Sequence, residues 1–162
     1  MTESAVDPTK PLLYLASSER RPVKKIIDEL VNRLTDLQPQ VLEDLISRMV
    51  QLGGYRILRT RHFNSKGGDA DVVAEAELSP LATAFEQQSI LLIQVKKKTG
   101  IDNDDVKAVD QLVQMADIYP GATPVVISTA ERFTEACLSA AKENHVALIA
   151  GRTLARLLLR YF

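Results

Sequence analysis

Three runs, YRILRTRHF, DVVAEAEL and SILLIQVK, follow one another between Tyr55 and Lys96, each of strand length and rich in β-branched residues. A turn at Lys66, Gly67 and Gly68 separates the first two, and a longer loop around Pro80 separates the second from the third. Three consecutive strands of this kind predict an antiparallel meander. Upstream, Val23, Ile26, Ile27, Leu30, Val31 and Leu34 recur at helical spacing after Pro22 and stop before Pro39. A second helix starts just after Pro39, with Val41, Leu42, Leu45, Ile46, Met49 and Val50 on its apolar face and Gly53–Gly54 as a left-handed cap. Downstream, Val106, Val109, Leu112, Val113 and Ala116 mark a helix whose first turn holds Asp102, Asp104 and Asp105, with Asp102 or Asn103 as cap. TPVVIST then reads as a buried strand, Phe133 to Ala141 as a helix, HVALIA as a last strand, and Leu154, Leu157, Leu158 and Tyr161 as a closing helix. The order ααβββαβαβα predicts an α/β fold, a mixed β-sheet flanked by helices with right-handed crossovers late in the chain.

No internal repeat or Gly/Ser linker divides the 162 residues, so the reading is an N-terminal arm over 1–21 and one domain over 22–162. Leu12, Leu13, Tyr14 and Leu15 are expected to dock the arm on the body. Glu3 and Asp7 precede a short apolar stretch broken by Pro11, a pattern unlike an export signal. No apolar run approaches the roughly 20 residues that span a bilayer. The single cysteine, Cys137, excludes an internal disulfide and lies on an apolar helical stripe, which predicts a core thiol in a reducing, cytoplasmic location.

Polar side chains on core strands are the informative exceptions, because burying an unpartnered amide or ammonium costs several kcal/mol. In SILLIQVK the alternation places Leu92, Gln94 and Lys96 on one face. Asp69 and Asp71 open the preceding strand and, by the same alternation, share a face. A meander therefore brings carboxylate, amide oxygen and ammonium to one edge of the sheet. Mg²⁺ takes oxygen ligands and retains several waters, so one or two carboxylates and a carbonyl oxygen make a plausible site that substrate phosphate completes. A neighbouring lysine then has work at the attacking water.

These blocks resemble a known family, the Mrr-type branch of the PD-(D/E)XK restriction-endonuclease-like superfamily, from about Leu34 to Leu158. The resemblance rests on PQVLEDLISRMVQLGGY, on GGDADVV, on ILLIQVKKK with its Gln-x-Lys strand, and on PVVISTAERFTEACLSAA with VALIAG. It implies a restriction-endonuclease-like fold in which Asp71 binds the metal, Gln94 takes the position usually held by a second acidic residue, and Lys96 is the catalytic lysine. Glu43 is similar to the family's extra carboxylate and is a third implied ligand. The GGDAD turn is one residue tighter than the family pattern, which makes Asp69 an alternative ligand. Ala150 stands where relatives often have aspartate. The implied cofactor is Mg²⁺ or Mn²⁺.

The charges are 20 basic against 21 acidic, a net of -1 that excludes a uniformly cationic protein. Position matters more than the sum. Between Leu45 and Gly68 no acidic residue occurs, while Arg48, Arg56, Arg59, Arg61 and Lys66 do, and Lys96, Lys97 and Lys98 lie on the adjoining strand. Arg56, Arg59, Arg61, Lys66, Lys97 and Lys98 are thus candidate contacts to backbone phosphates, which such a patch holds through counterion release. His62, amid the arginines, is a phosphate contact or a solvated side chain, and Ser128 and Thr129 cap backbone at a strand end.

Taken together, the expectation is a metal-dependent endonuclease that hydrolyses DNA phosphodiester bonds, with a role in restriction or defence implied only by the resemblance. One site per chain favours a homodimer for duplex cleavage. The chain shows no separate recognition domain, so weak intrinsic sequence specificity or a partner subunit that supplies targeting is expected. The rival readings are a nuclease of the same fold acting on branched DNA or RNA, and a non-catalytic subunit that binds nucleic acid or assembles with other proteins.

Overall fold

Alternation along the strands builds two apolar layers. Val72, Ile93 and Ile127 point to one side of the sheet, while their neighbours Val73, Leu92 and Val126 point to the other, and all six are buried. Such strands are stable only with helices on both faces. The structure, a computed structural model, describes residues 10–63, 65, 67–77, 89–97 and 104–162, with backbone alone for 10–21 and 104. Lys66, Lys98, the loop around Pro80 and the candidate caps Asp102 and Asn103 lie outside the described residues.

Five strands, β1 (Tyr55–Phe63), β2 (Asp69–Ala76), β3 (Ile90–Lys96), β4 (Thr123–Ser128) and β5 (Ala147–Ile149), form one sheet in chain order. β1, β2 and β3 are antiparallel, whereas β3, β4 and β5 are parallel. The predicted meander and mixed sheet are both present. Helices α1 (Lys10–Asp36), α2 (Pro39–Leu52) and α5 (Gly151–Tyr161) cover one face through Ile27, Leu34, Leu42, Ile46, Leu154 and Leu158. Helices α3 (Asp104–Ala116) and α4 (Glu135–Glu143) cover the other through Val109, Leu112, Met115 and Cys137. Each fully buried aliphatic side chain contributes roughly 1.5–3 kcal/mol relative to exposure, so the two layers dominate the stabilisation.

One boundary differs from the sequence expectation, and the end of α2 agrees with it. α1 starts at Lys10 and runs through Pro22. Proline withdraws a single N–H from the helix, and Leu12, Leu13, Leu15, Ala16, Arg20 and Arg21 are good helix formers around it. At the end of α2 the left-handed residue is Gly54, at φ 88°, one position beyond the C-cap Gly53. Cys137 is buried in the core, as expected. Among the described residues no helix is long and apolar enough to cross a membrane.

Candidate active site

The sheet is regular in its middle and irregular at one end, and the irregular end gathers the polar residues. The β1–β2 register shifts between Ile57 and Arg59, then pairs Thr60 with Val72 and His62 with Ala70. No rung joins Arg61 to Asp71 between them, and Arg61 has φ 51°, a conformation costly for a residue with a Cβ. Consecutive residues Thr60 and Arg61 consequently line the same groove, together with Gln40, Glu43 and Ser47 of α2 and with Asp71. Strict alternation would have sent one of them to the opposite face. Arg61 Nε donates to Glu43 Oε2 at 3.0 Å.

β2 leaves β3 at the same place. The last registered pair is Val72 with Ile93, and the Val95 N–H beyond it donates to Asp71 Oδ2 at 2.5 Å. A side chain thus takes a donor that a longer ladder would have used. Burial pushes the Asp71 carboxyl up to about 6. The Val95 N–H opposes that rise, the charges of Glu43 and Asp69 add to it, and Lys96 opposes it. Glu43, Asp69 and Lys96 thus each act on the Asp71 charge.

Gln94 is 2% exposed. Its Nε2 donates to Asp69 Oδ2 at 3.4 Å, a long contact, while Gln94 Oε1 and Asp69 Oδ1 are buried without a hydrogen-bond partner. Lys96 ends β3 opposite Ser128, and its carbonyl accepts the Thr129 N–H at 3.0 Å. Ser128 Oγ accepts the Ala130 N–H at 3.1 Å, the backbone capping expected of it.

β2 breaks alternation between Ala70, in the α3 layer, and Val72, in the α2 layer, beside the missing rung at Arg61. Ala70 packs in the α3 layer with Leu92, and Asp69 reaches Gln94, whereas Asp71 opens onto the α2 groove. The turn before them is held against α3, since a Cβ on Gly68 would sit 3.0 Å from the Met115 nitrogen.

The basic candidates separate into groups. Arg59, Arg61 and Lys97 are exposed toward the site end of the sheet. Arg56 sits at the opposite end, paired with the buried Glu75, whose carboxylate raises the Arg56 pKa by accepting its hydrogen bond. His62 is half-buried and meets Tyr119 edge-on at 5.9 Å, so it is packed instead of solvated. Gln40 and Ser47 do not stand out in the sequence, although they lie three residues before and four after Glu43 and so share its helix face. The Val95 N–H leaves no sequence signal at all.

The donor set suits a hard cation. Every candidate ligand atom is oxygen, and the two buried oxygens without partners, on Asp69 and Gln94, are of the kind a divalent cation satisfies. Among the described residues no group of three or more His, Cys, Asp or Glu side chains converges as a metal cluster.

Residues 34–158 match the family model Mrr_cat, whose description is restriction endonuclease. The chain belongs to this family. Membership supports nuclease hydrolase activity, and the Mrr_cat fold and the blocks carrying Asp71, Gln94 and Lys96 all fall inside the matched span. Among solved structures the chain is similar to "MspJI Restriction Endonuclease in Complex with 27-mer Oligonucleotide", with 18% identity and TM-score 0.44, covering 99% of this chain and 35% of that one. It is also similar to Pyrococcus furiosus SfsA in complex with Ca²⁺, with 15% identity and TM-score 0.40, covering 74% of this chain and 56% of that one. The Mrr_cat chain thus spans about a third and about half of those two proteins. No curated protein matches it.

Proposed function

We propose that this Mrr_cat domain is a divalent-metal-dependent endodeoxyribonuclease that hydrolyses DNA phosphodiester bonds, and that Glu43, Asp71, Gln94 and Lys96 carry the reaction. The observation that most supports this is the half-buried Asp71 at the β2–β3 divergence, whose charge Lys96 offsets, with a buried Gln94 oxygen on the next strand that has no hydrogen-bond partner among the described residues. Asp71 and the Gln94 carbonyl would hold Mg²⁺ or Mn²⁺, with Glu43 joining once Arg61 releases it. A bound cation supplies Lewis-acid polarisation of a phosphoryl oxygen and lowers the pKa of its water.

The chain's own residues do the rest. Lys96, anchored through its carbonyl to Thr129, places its ammonium beside the attacking water, orients it, and offsets negative charge building on the phosphoryl group. The attacking water gives up a proton to solvent and its oxygen forms the new P–O bond as the ester P–O bond breaks, and the leaving oxygen takes a proton from solvent. Arg59, Arg61 and Lys97 would hold flanking phosphates, joined by Lys66 and Lys98, and such contacts carry affinity without reading sequence.

A homodimer supplies one site for each strand, a separate subunit supplies targeting, and a role in restriction or defence rests on family membership alone. The Arg61–Glu43 pair favours a second reading, because it engages a candidate ligand with a resident cation. In that reading the domain binds nucleic acid without cutting. Duplex, branched, single-stranded DNA and RNA substrates, incubated with Mg²⁺ or Mn²⁺, separate the readings. Metal-dependent cleavage of duplex DNA supports the endonuclease, preference for branched DNA or RNA shifts the substrate, and DNA binding with neither metal uptake nor cleavage supports the binding subunit.

A further inference from the structure

We propose that Asp69 is a positioning residue that fixes the carboxamide of Gln94, so that Gln94 presents its oxygen and not its nitrogen to the metal. The proposal rests on the metal-binding reading above. A carboxamide has two ends of nearly equal shape and opposite chemistry, an acceptor oxygen and a two-proton donor. A glutamate at this strand position would need no orienting, because both its ends are oxygen. Glutamine does need it. With Nε2 turned toward a cation, the site would lose a ligand and gain an electrostatic repulsion.

The geometry resolves that ambiguity through Asp69. An ionised carboxylate accepts hydrogen bonds and donates none, so whichever end of Gln94 faces Asp69 must be the nitrogen. The contact runs from Gln94 Nε2 to Asp69 Oδ2 at 3.4 Å, and Gln94 Oε1 is left buried and unpartnered on the other side of the amide. With Gln94 only 2% exposed, water is a poor competitor for either end. The turn that delivers Asp69 is itself constrained. Gly67 has φ 100°, and Gly68 lies so close to α3 that a Cβ would meet Met115. From this turn Asp69 reaches Gln94, while Asp71 lines the α2 groove. In this proposal the extra aspartate of GGDAD serves Gln94, and Asp71 keeps the ligand role.

Partners that orient a metal ligand change metal affinity by about 10–100-fold when removed. Asp69→Asn and Asp69→Leu delete the same charge, but only asparagine keeps an acceptor oxygen for Gln94 Nε2. Mn²⁺ affinity, measured on the intact protein by calorimetry or by electron paramagnetic resonance of free Mn²⁺, should be at least about tenfold weaker in Asp69→Leu than in Asp69→Asn. In a Gln94→Glu background, where no orientation is needed, the difference between the two should shrink to less than about threefold. A difference that persists in the Gln94→Glu background shows Asp69 to be a direct ligand and overturns the proposal, as does equal affinity of the two variants in the protein that retains Gln94. Absence of Mn²⁺ uptake by the wild type overturns the metal-binding reading itself. A second measurement is independent of the variants' folding: in metal-free wild type the Gln94 side-chain amide protons should exchange slowly with water, and they should stay protected on Mg²⁺ addition. Rapid exchange contradicts the proposal.

Discussion

The carboxylate of Asp71 takes the backbone N–H of Val95, one strand over, at the point where β2 and β3 part. That single contact both closes the end of the ladder and ties a half-buried acid to the residue before Lys96. Burial of that acid costs stability, and the cost is titratable. Burial raises the Asp71 pKa from an ordinary 3.8 to about 6, so the native state binds the proton more tightly than the unfolded state. The unfolded chain therefore holds fewer protons between these values, and stability falls as pH rises from about 4 to about 6, then levels. Asp71→Asn keeps an acceptor for Val95 and removes this loss. At pH 7.5 it should stabilise the protein by up to about 3 kcal/mol, and the gain should vanish near pH 3.5. Thermal melts of the two proteins across this range check both the size and the sign.

Arg56 should matter to folding more than to DNA. It pairs with Glu75, which is 9% exposed, at the end of the sheet away from Asp71. Removing the guanidinium leaves a buried carboxylate without its partner. Arg56→Ala should lower Tm by on the order of a few degrees and leave the salt dependence of DNA binding nearly unchanged. Melting curves and salt titrations of the same preparation separate the two effects.

Arg59 and Lys97 should behave in the opposite way. Each is exposed. Replacing either with Gln should weaken binding to all DNA sequences alike and reduce the slope of log affinity against log salt by about 1, with Tm unchanged. Fluorescence anisotropy over a series of salt concentrations reads the slope.

Gly151 supports Lys96 from behind. A Cβ there would sit 2.5 Å from the Thr129 carbonyl oxygen, and the Thr129 N–H is the donor to the Lys96 carbonyl. Backbone has to move to admit a methyl group. Gly151→Ala should destabilise the protein by roughly 1–3 kcal/mol. Urea unfolding gives the value, and an unchanged midpoint would mean the close approach is not maintained in solution.

Much of the fold is readable from residue order. The amphipathic periodicity of Val41 to Val50, the alternation of Leu91 to Val95 and the punctuation by Pro39 and Gly54 are local signals, and the elements they predict are present. Gln94 and Lys96 stand out because polar side chains on apolar strands are costly. Alternation fails at Ala70 and Arg61, since a missing rung and a positive φ are properties of a strand pair and leave no mark on either strand alone. For the same reason residue order does not reveal that Arg61 binds Glu43, or that Val95 offers its N–H to Asp71. α1 begins earlier than Pro22 suggests, because the helix formers on both sides of that proline outweigh the one N–H it withdraws.

The most direct test of the proposed chemistry is cleavage of supercoiled plasmid by the purified chain with Mg²⁺ or Mn²⁺, comparing wild type with Lys96→Ala at matched folding. The wild type should produce nicked or linear DNA in a metal-dependent manner, and Lys96→Ala should slow this by about 10²–10⁴-fold while still binding DNA. Full metal-dependent cleavage by Lys96→Ala, or none by the wild type, would contradict the account.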